Sequence, residues 1–76
     1  MKWPAVYRFN IEEQLSSTWS EWFKGMVLES SIGQGTSMTG LIEDQAALYG
    51  VINRLRDLNL VVIEVRRLSE QQIPPD

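Results

Sequence analysis

The sequence predicts an α+β domain with two helices packed on one side of an antiparallel sheet. Three observations favour this class of fold. Residues 43–58 place apolar side chains at helical spacing, whereas residues 60–68 alternate apolar and polar side chains as a half-covered strand does. The first half of the chain has the order strand, helix and strand, and the second half has the same order. A helix and a strand in each half therefore share one small core.

The first forty residues predict a strand, a short helix and a strand. Aromatic and aliphatic residues alternate with mixed ones from Ala5 to Ile11, which is typical of a strand covered on one side. Thr18 and Glu21 have the spacing of a capping box and predict a helix of about two turns. Gly25 is placed to end that helix in a left-handed conformation. Residues 26–32 then predict the second strand.

The second half predicts a hairpin and the long helix. Gly33 and Gly35 can supply the positive φ angles of a tight turn before a third strand over residues 36–42. Gly40 interrupts that strand and predicts either a bulge or a close backbone approach. Asp44 is the expected N-cap of the long helix, and Asn59 is its expected left-handed exit residue.

The order βαββαβ predicts a ferredoxin-like domain over residues 1–68, in which a four-stranded antiparallel sheet carries two helices on one face. Residues 69–76 contain Pro74 and Pro75 and predict a flexible tail. Right-handed crossovers place strands one and three in the centre and strand four beside strand one, so Arg8 and Glu64 are expected to be neighbours on the uncovered face. The predicted core comprises Tyr7, Phe9, Trp22, Phe23, Leu48, Ile52, Leu55, Ile63 and Val65.

Composition argues against most catalytic and several binding functions. The 76 residues include no cysteine and no histidine, so thiol chemistry and the commonest general base are missing. We therefore expect no enzyme activity, no cofactor and no metal site. The net charge of -3 and the lack of a basic stripe disfavour nucleic acid. No apolar run is long enough for a membrane span, and we expect a cytoplasmic protein.

Two resemblances rest on the second half of the chain. The run Thr36 to Arg67 contains the pattern T-G-x-x-x-D-Q-A-A-L-x-G-x-x-x-x-L-R-D-L and resembles the C-terminal half of small bacterial proteins of uncharacterised function. The topology, with D-L-N-L-V-V-I-E-V near the end, also looks like an ACT-type regulatory domain. That second resemblance implies a homo-oligomer that senses a small metabolite at a subunit interface, but it implies no particular binding residue.

Several groups of residues admit a functional and a structural interpretation. Trp19, Trp22 and Phe23 could line a pocket for a planar ligand, although core packing is favoured and one tryptophan is expected at a partner surface. The turn Gly33 to Thr36 could bind phosphate, but its place between two strands favours a plain hairpin. The other two groups are the carboxylate pairs and the arginines. Helix caps, strand ends and surface ion pairs are the favoured interpretations of Glu12, Glu13, Glu43, Asp44, Arg54, Arg56, Arg66 and Arg67.

The sequence predicts an interaction module rather than an enzyme, with a metabolite sensor as the alternative. So small a domain has a marginal core, and we expect a homodimer or docking on a larger protein partner. Two surfaces are candidates for the contact. The uncovered sheet face would present Val6, Arg8, Val62, Glu64 and Arg66. The outer side of the long helix would present Ala46, Gly50 and Asn53, where the mid-helix glycine leaves room for another chain.

Overall fold

The computed structural model describes residues 3–23, 25–31 and 33–68. Four strands form one antiparallel sheet, β1 (Ala5–Ile11), β2 (Met26–Ser31), β3 (Gly35–Ile42) and β4 (Val62–Arg67). The sheet order is β2-β3-β1-β4, so β1 and β3 are central and β4 pairs with β1 as the sequence predicts. One α-helix, α1 (Gln45–Asp57), follows β3. The predicted tail lies outside the described residues.

The prediction of a ferredoxin-like domain with two helices is wrong, because the first helix is a 3-10 helix of five residues, Ser17–Glu21. Its backbone bonds span three residues, from Trp19 N–H to the Ser16 carbonyl and from Trp22 N–H to the Trp19 carbonyl. The Thr18 hydroxyl bonds to the Ser16 hydroxyl at 2.7 Å, so the chain turns earlier than the predicted cap. Serine and threonine, which dominate residues 16–20, favour such local bonds over a continuing helix.

The hairpin between β2 and β3 agrees with the sequence prediction. Gly33 and Gly35 have φ angles of 81° and 76°, in the left-handed region that glycine adopts without strain. A Cβ on Gly35 would also collide with the carbonyl oxygen of Ile11. At Gly40 the pairing is continuous, and a Cβ would approach Met26 Cγ to 2.9 Å. The close approach is therefore the correct alternative at Gly40, and there is no bulge at this position.

The helix α1 begins and ends as its flanking residues predict. Asp44 Oδ1 accepts a hydrogen bond of 2.8 Å from the Ala47 N–H, which caps the first turn. Asn59 has φ 60° and carries the chain out of the helix. Leu55 is fully buried, and its neighbours Leu48 and Ile52 pack against the same core. The buried core is Phe9, Ile11, Leu15, Phe23, Met38, Ile42 and Leu55.

Three members of the predicted core lie at the surface. Trp22 is 53% exposed, Ile63 is 62% exposed and Val65 is 38% exposed. Trp22 follows the last residue of the 3-10 helix, and its ring lies 6.4 Å from that of Trp19 instead of entering the core. Ile63 and Val65 are exposed because the helical elements contact mainly β2 and β3, and a five-residue helix covers less of the sheet than two full helices would.

The register of β4 changes near its first residues. Glu64 pairs with Asn10, but the next pair joins Val62 to Ile11, so Ile63 falls in a β-bulge. Val62 therefore lies beside a core residue and not on the uncovered sheet face, where the sequence placed it. Two hydrogen bonds between Val61, which precedes β4, and the segment that follows β1 hold the bulge. Glu12 N–H donates to the Val61 carbonyl, and Val61 N–H donates to Glu13 Oε1, both at 2.9 Å.

Candidate interaction surfaces

The strand β4 exposes more apolar surface than any other described element. All six of its residues are exposed, and the preceding Val61 is exposed as well. The large apolar members of this surface are Val61, Val62, Ile63 and Val65. The strand lies at the end of the sheet order, and within residues 3–23, 25–31 and 33–68 no further strand pairs with its outer side. A long apolar edge strand is a template for pairing with another chain.

The uncovered face of the sheet has a polar centre beside exposed apolar residues, since Val27 is 63% and Leu41 is 60% exposed on this face. Asn10 is its centre, because Asn10 Nδ2 donates to Glu64 at 2.8 Å and Asn10 Oδ1 accepts from Ser37 at 2.7 Å. Arg66 adds an ion pair of 3.4 Å to Glu64. These partners satisfy one another within one chain, and an apolar partner face would have to bury them. Stacking of two such faces would therefore bury the apolar residues together with these polar groups.

The sequence-predicted pairs on that face are partly wrong. Arg8 lies opposite Arg66 and not opposite Glu64, which pairs with Asn10 instead. Arg66 and Arg67 do point to opposite faces, as expected for successive strand residues. Of the predicted surface, Arg8, Glu64 and Arg66 remain on the uncovered face together with Val6, which is half-buried and pairs with Leu41.

A groove beside α1 contains part of the second predicted surface. Its volume is about 600 Å³, and it lies between the end of the 3-10 helix, the start of β2, the end of β3 and α1. Its lining includes Trp22, Leu41, Ala47, Gly50 and Arg54. The Arg54 guanidinium donates to the Trp22 carbonyl at 2.8 Å, which joins the two walls.

The three residues predicted on the outer side of α1 differ in their relation to this groove. Gly50 has open space where a Cβ would stand, so its missing side chain leaves the groove open. Asn53 lines the adjoining depression with Trp22, whereas Ala46 is exposed on the helix and lines neither. Gly50 of the predicted surface therefore lines the groove together with Trp22, one of the aromatic residues for which the sequence allowed a ligand pocket or a partner surface.

A row of aromatic rings covers the helix-facing side of β1 at its N-terminal end. The rings of Trp3 and Tyr7 stack at 5.7 Å between centroids, and the rings of Tyr7 and Phe9 stack at 6.3 Å. Arg67 of β4 lies over the Trp3 ring, with its guanidinium carbon 5.4 Å from the centroid. The stacking and the cation–π contact protect part of the sheet that no helix covers.

Thr36 has a structural role that the sequence did not reveal. Its side chain is buried, and its hydroxyl accepts from the Leu15 N–H and donates to the Glu13 carbonyl, both at 2.8 Å. This hydroxyl ties the segment after β1 to the hairpin, which leaves it no free capacity for a phosphate. The adjacent Glu13 carboxylate is bound to the Val61 N–H, and Asp44 caps α1. The structural interpretations of the turn and of these two carboxylates are confirmed.

The described residues contain no group of three or more acidic, histidine or cysteine side chains placed to hold a metal ion. None of the described helices has the length and hydropathy needed to span a bilayer. The cytoplasmic location and the lack of enzyme activity stay predictions.

The family is defined by a model for a domain of unknown function, DUF8691, which matches residues 6–66. The chain belongs to this family, as the resemblance to small proteins of uncharacterised function suggested in coarser terms. The match runs from the second residue of β1 to the penultimate residue of β4, so α1, the groove and all of the sheet except Ala5 and Arg67 lie inside the family domain. No curated protein and no solved structure matches the chain.

Proposed function

We propose that the protein is a non-enzymatic interaction module that associates with a second copy of itself through β4. The observation that carries this proposal is the set of four exposed apolar side chains, Val61, Val62, Ile63 and Val65, on or beside an edge strand. Burying them would remove apolar surface from water and extend the core of a domain that is small for its fold. A two-fold dimer is the commonest assembly of a single soluble chain.

The other two surfaces support the proposal less strongly. The uncovered sheet face also exposes Val27 and Leu41, but burying it against a second copy would enclose the hydrogen-bonded groups of Asn10 and Glu64. The groove at Trp22 and Gly50 is concave on one chain, and the described structure offers no matching projection for a two-fold contact. A larger protein partner could use the groove, but self-association through β4 requires only the surface that each copy already exposes.

Sedimentation velocity at micromolar concentration tests the proposal with a matched pair of variants. Val65→Lys places a charge on β4, whereas Val27→Lys makes the same change at an exposed position on the opposite edge strand β2. We expect a dimer for the wild type and for Val27→Lys, and a monomer for Val65→Lys. Gly50→Gln, which fills the groove, should leave the dimer intact. Circular dichroism confirms that each variant is folded.

Two results would contradict the proposal. A wild-type chain that is monomeric at all accessible concentrations would exclude self-association and leave docking on a different protein. A dimer that persists in Val65→Lys but dissociates in Gly50→Gln would move the contact from β4 to the groove.

A second candidate function is metabolite sensing of the ACT type, and the groove is the observation that favours it. Its volume of about 600 Å³ is within the range of small-molecule sites, and Trp22 and Arg54 offer a ring face and a cation. A ligand at a hundred times its dissociation constant would add about 2.7 kcal/mol to the free energy of unfolding. Thermal unfolding in the presence of each amino acid and nucleotide tests this function. No rise in melting temperature with any of them would exclude these ligands.

A further inference from the structure

The backbone of β4 directs its hydrogen-bonding groups toward β1 at alternate residues. Leu68 N–H donates to the Val6 carbonyl on β1 at 2.9 Å, and Arg66 and Glu64 pair with Arg8 and Asn10 in the same ladder. In an antiparallel strand, successive residues direct their N–H and C=O groups to opposite sides. The backbone groups of Val65 therefore point away from β1, toward the outer side of the sheet.

The side chains of β4 restrict how two copies of this edge can pair. When two antiparallel strands pair, directly opposed residues carry their side chains on the same face of the sheet. Glu64 and Arg66 both lie on the uncovered face, so each can be opposed only by a residue of that face in the second copy. A two-fold axis at Glu64 would oppose two glutamates, and an axis at Arg66 would oppose two arginines. An axis at Val65 places Glu64 of each copy opposite Arg66 of the other. Only this register among the three pairs unlike charges.

The backbone and the charges select the same register. With the axis at Val65, the outward N–H and C=O groups of Val65 meet their equivalents in the second copy as a hydrogen-bonded pair. The flanking Glu64 and Arg66 then fall in non-hydrogen-bonded pairs, where cross-strand side chains are closest. The existing ion pair of 3.4 Å between Arg66 and Glu64 within each chain would become part of a ring of four alternating charges.

We propose that two copies of the chain pair antiparallel along β4 about a two-fold axis through Val65, so that their sheets join into one of eight strands. This inference rests on the proposed self-association and adds the register and the residues that specify it. The segment Glu64-Val65-Arg66 is the specificity determinant, because its charges meet unlike charges of a second copy only when the two segments run antiparallel. The occupant of the edge is thus a second copy of this chain rather than an unrelated strand.

Charge reversal tests the register. Glu64→Arg opposes arginines at both symmetry-related contacts, as Arg66→Glu opposes glutamates, so each should raise the dimer dissociation constant by roughly tenfold or more. The double variant Glu64→Arg with Arg66→Glu restores unlike pairs and should return the constant to near its wild-type value. Glu29→Arg is the control, because it reverses an exposed charge on the far edge strand β2 and should leave the constant unchanged.

The constants are measured by sedimentation equilibrium of the full chain, and each variant is first shown to unfold cooperatively. A dimer that is insensitive to both single reversals, or a double variant as weak as the single ones, would overturn the register while leaving self-association in place. Equal numbers of Glu64→Arg and Arg66→Glu chains give a further readout, since mixing them should restore the contact: each of the two contacts then pairs an arginine of one chain with a glutamate of the other. A mixture that associates no more strongly than either single variant alone would also contradict the register.

Discussion

The two strands that flank β1 differ in how well the helix-facing side is covered, and Phe9 shows the difference directly. Phe9 is fully buried and has Met38 of β3 on one side and Val65 of β4 on the other. Met38 is also fully buried, whereas Val65 is 38% exposed. Met38 and Val65 thus occupy equivalent positions beside Phe9 but contribute differently to the buried core. On the β3 side the domain completes its own core, and on the β4 side it leaves apolar residues exposed.

The largest expected effect is on the covered side. Met38→Ala removes a fully buried side chain and leaves a cavity beside Phe9, so we expect a loss of about 2 to 5 kcal/mol in the free energy of unfolding. Urea denaturation measures it. A loss below about 1 kcal/mol would mean that the β3 side is no better packed than the β4 side, and the contrast between them would fail.

A second test concerns the hairpin that holds the covered side together. Gly35→Ala places a Cβ against the Ile11 carbonyl in a left-handed backbone, and we expect a loss of about 2 to 4 kcal/mol in unfolding free energy. Gly33→Ala is the matched control, because its backbone is equally left-handed but its Cβ would meet nothing within 4 Å. Equal losses in the two variants would show that strain alone, and not the close approach to β1, requires glycine at position 35.

A third test concerns the hydroxyl that ties the segment after β1 to β3. Thr36→Val keeps the shape of the side chain but leaves the Leu15 N–H and the Glu13 carbonyl without their partner. We expect a loss of about 1 to 3 kcal/mol in unfolding free energy. Thr39→Val, on the uncovered face of the same strand, should cost less than about 0.5 kcal/mol. A cost at Thr36 no larger than that at Thr39 would show that solvent replaces the lost bonds.

The smallest effect is expected on the uncovered side. Val65→Ala should lower the unfolding free energy of the monomer by less than about 1 kcal/mol, because much of the side chain is already in water. Urea denaturation at a protein concentration too low for dimerisation measures this change in the unfolding free energy of the monomer. At higher concentration the same substitution should cost more, since the dimer loses apolar contact. A large loss that does not depend on protein concentration would mean that Val65 stabilises its own chain.

Local chemistry predicted the parts of the fold that depend on one or two residues. Asp44 and Asn59 fixed the ends of α1, and the glycines at 33 and 35 indicated the hairpin, because each position has a conformational requirement that few residues meet. The alternation of apolar and polar side chains predicted the bounds of β1, β2 and β3 to within about a residue. The central places of β1 and β3 in the sheet followed from chain connectivity.

The errors arise where distant contacts override a local pattern. Period-two alternation placed Ile63 in the core, but bonds from Glu12 and Glu13 to Val61 hold a bulge that changes the facing of the strand. The aromatic spacing of Trp19, Trp22 and Phe23 is helical, yet the backbone forms a 3-10 turn that leaves Trp22 at the groove. The role of Thr36 could not be predicted, because a threonine in a strand gives no indication of which backbone groups its hydroxyl will meet.

Amide hydrogen exchange at Val65 tests most directly whether β4 is the contact between copies. The Val65 N–H points away from β1, so it should exchange rapidly in the monomer and become protected as the dimer forms with rising concentration. The neighbouring Arg66 N–H, which points toward β1, should be protected at every concentration and serves as the internal control. We predict that protection of Val65 follows the dimer fraction measured by sedimentation. Rapid exchange of Val65 in a sample that is fully dimeric would contradict the account.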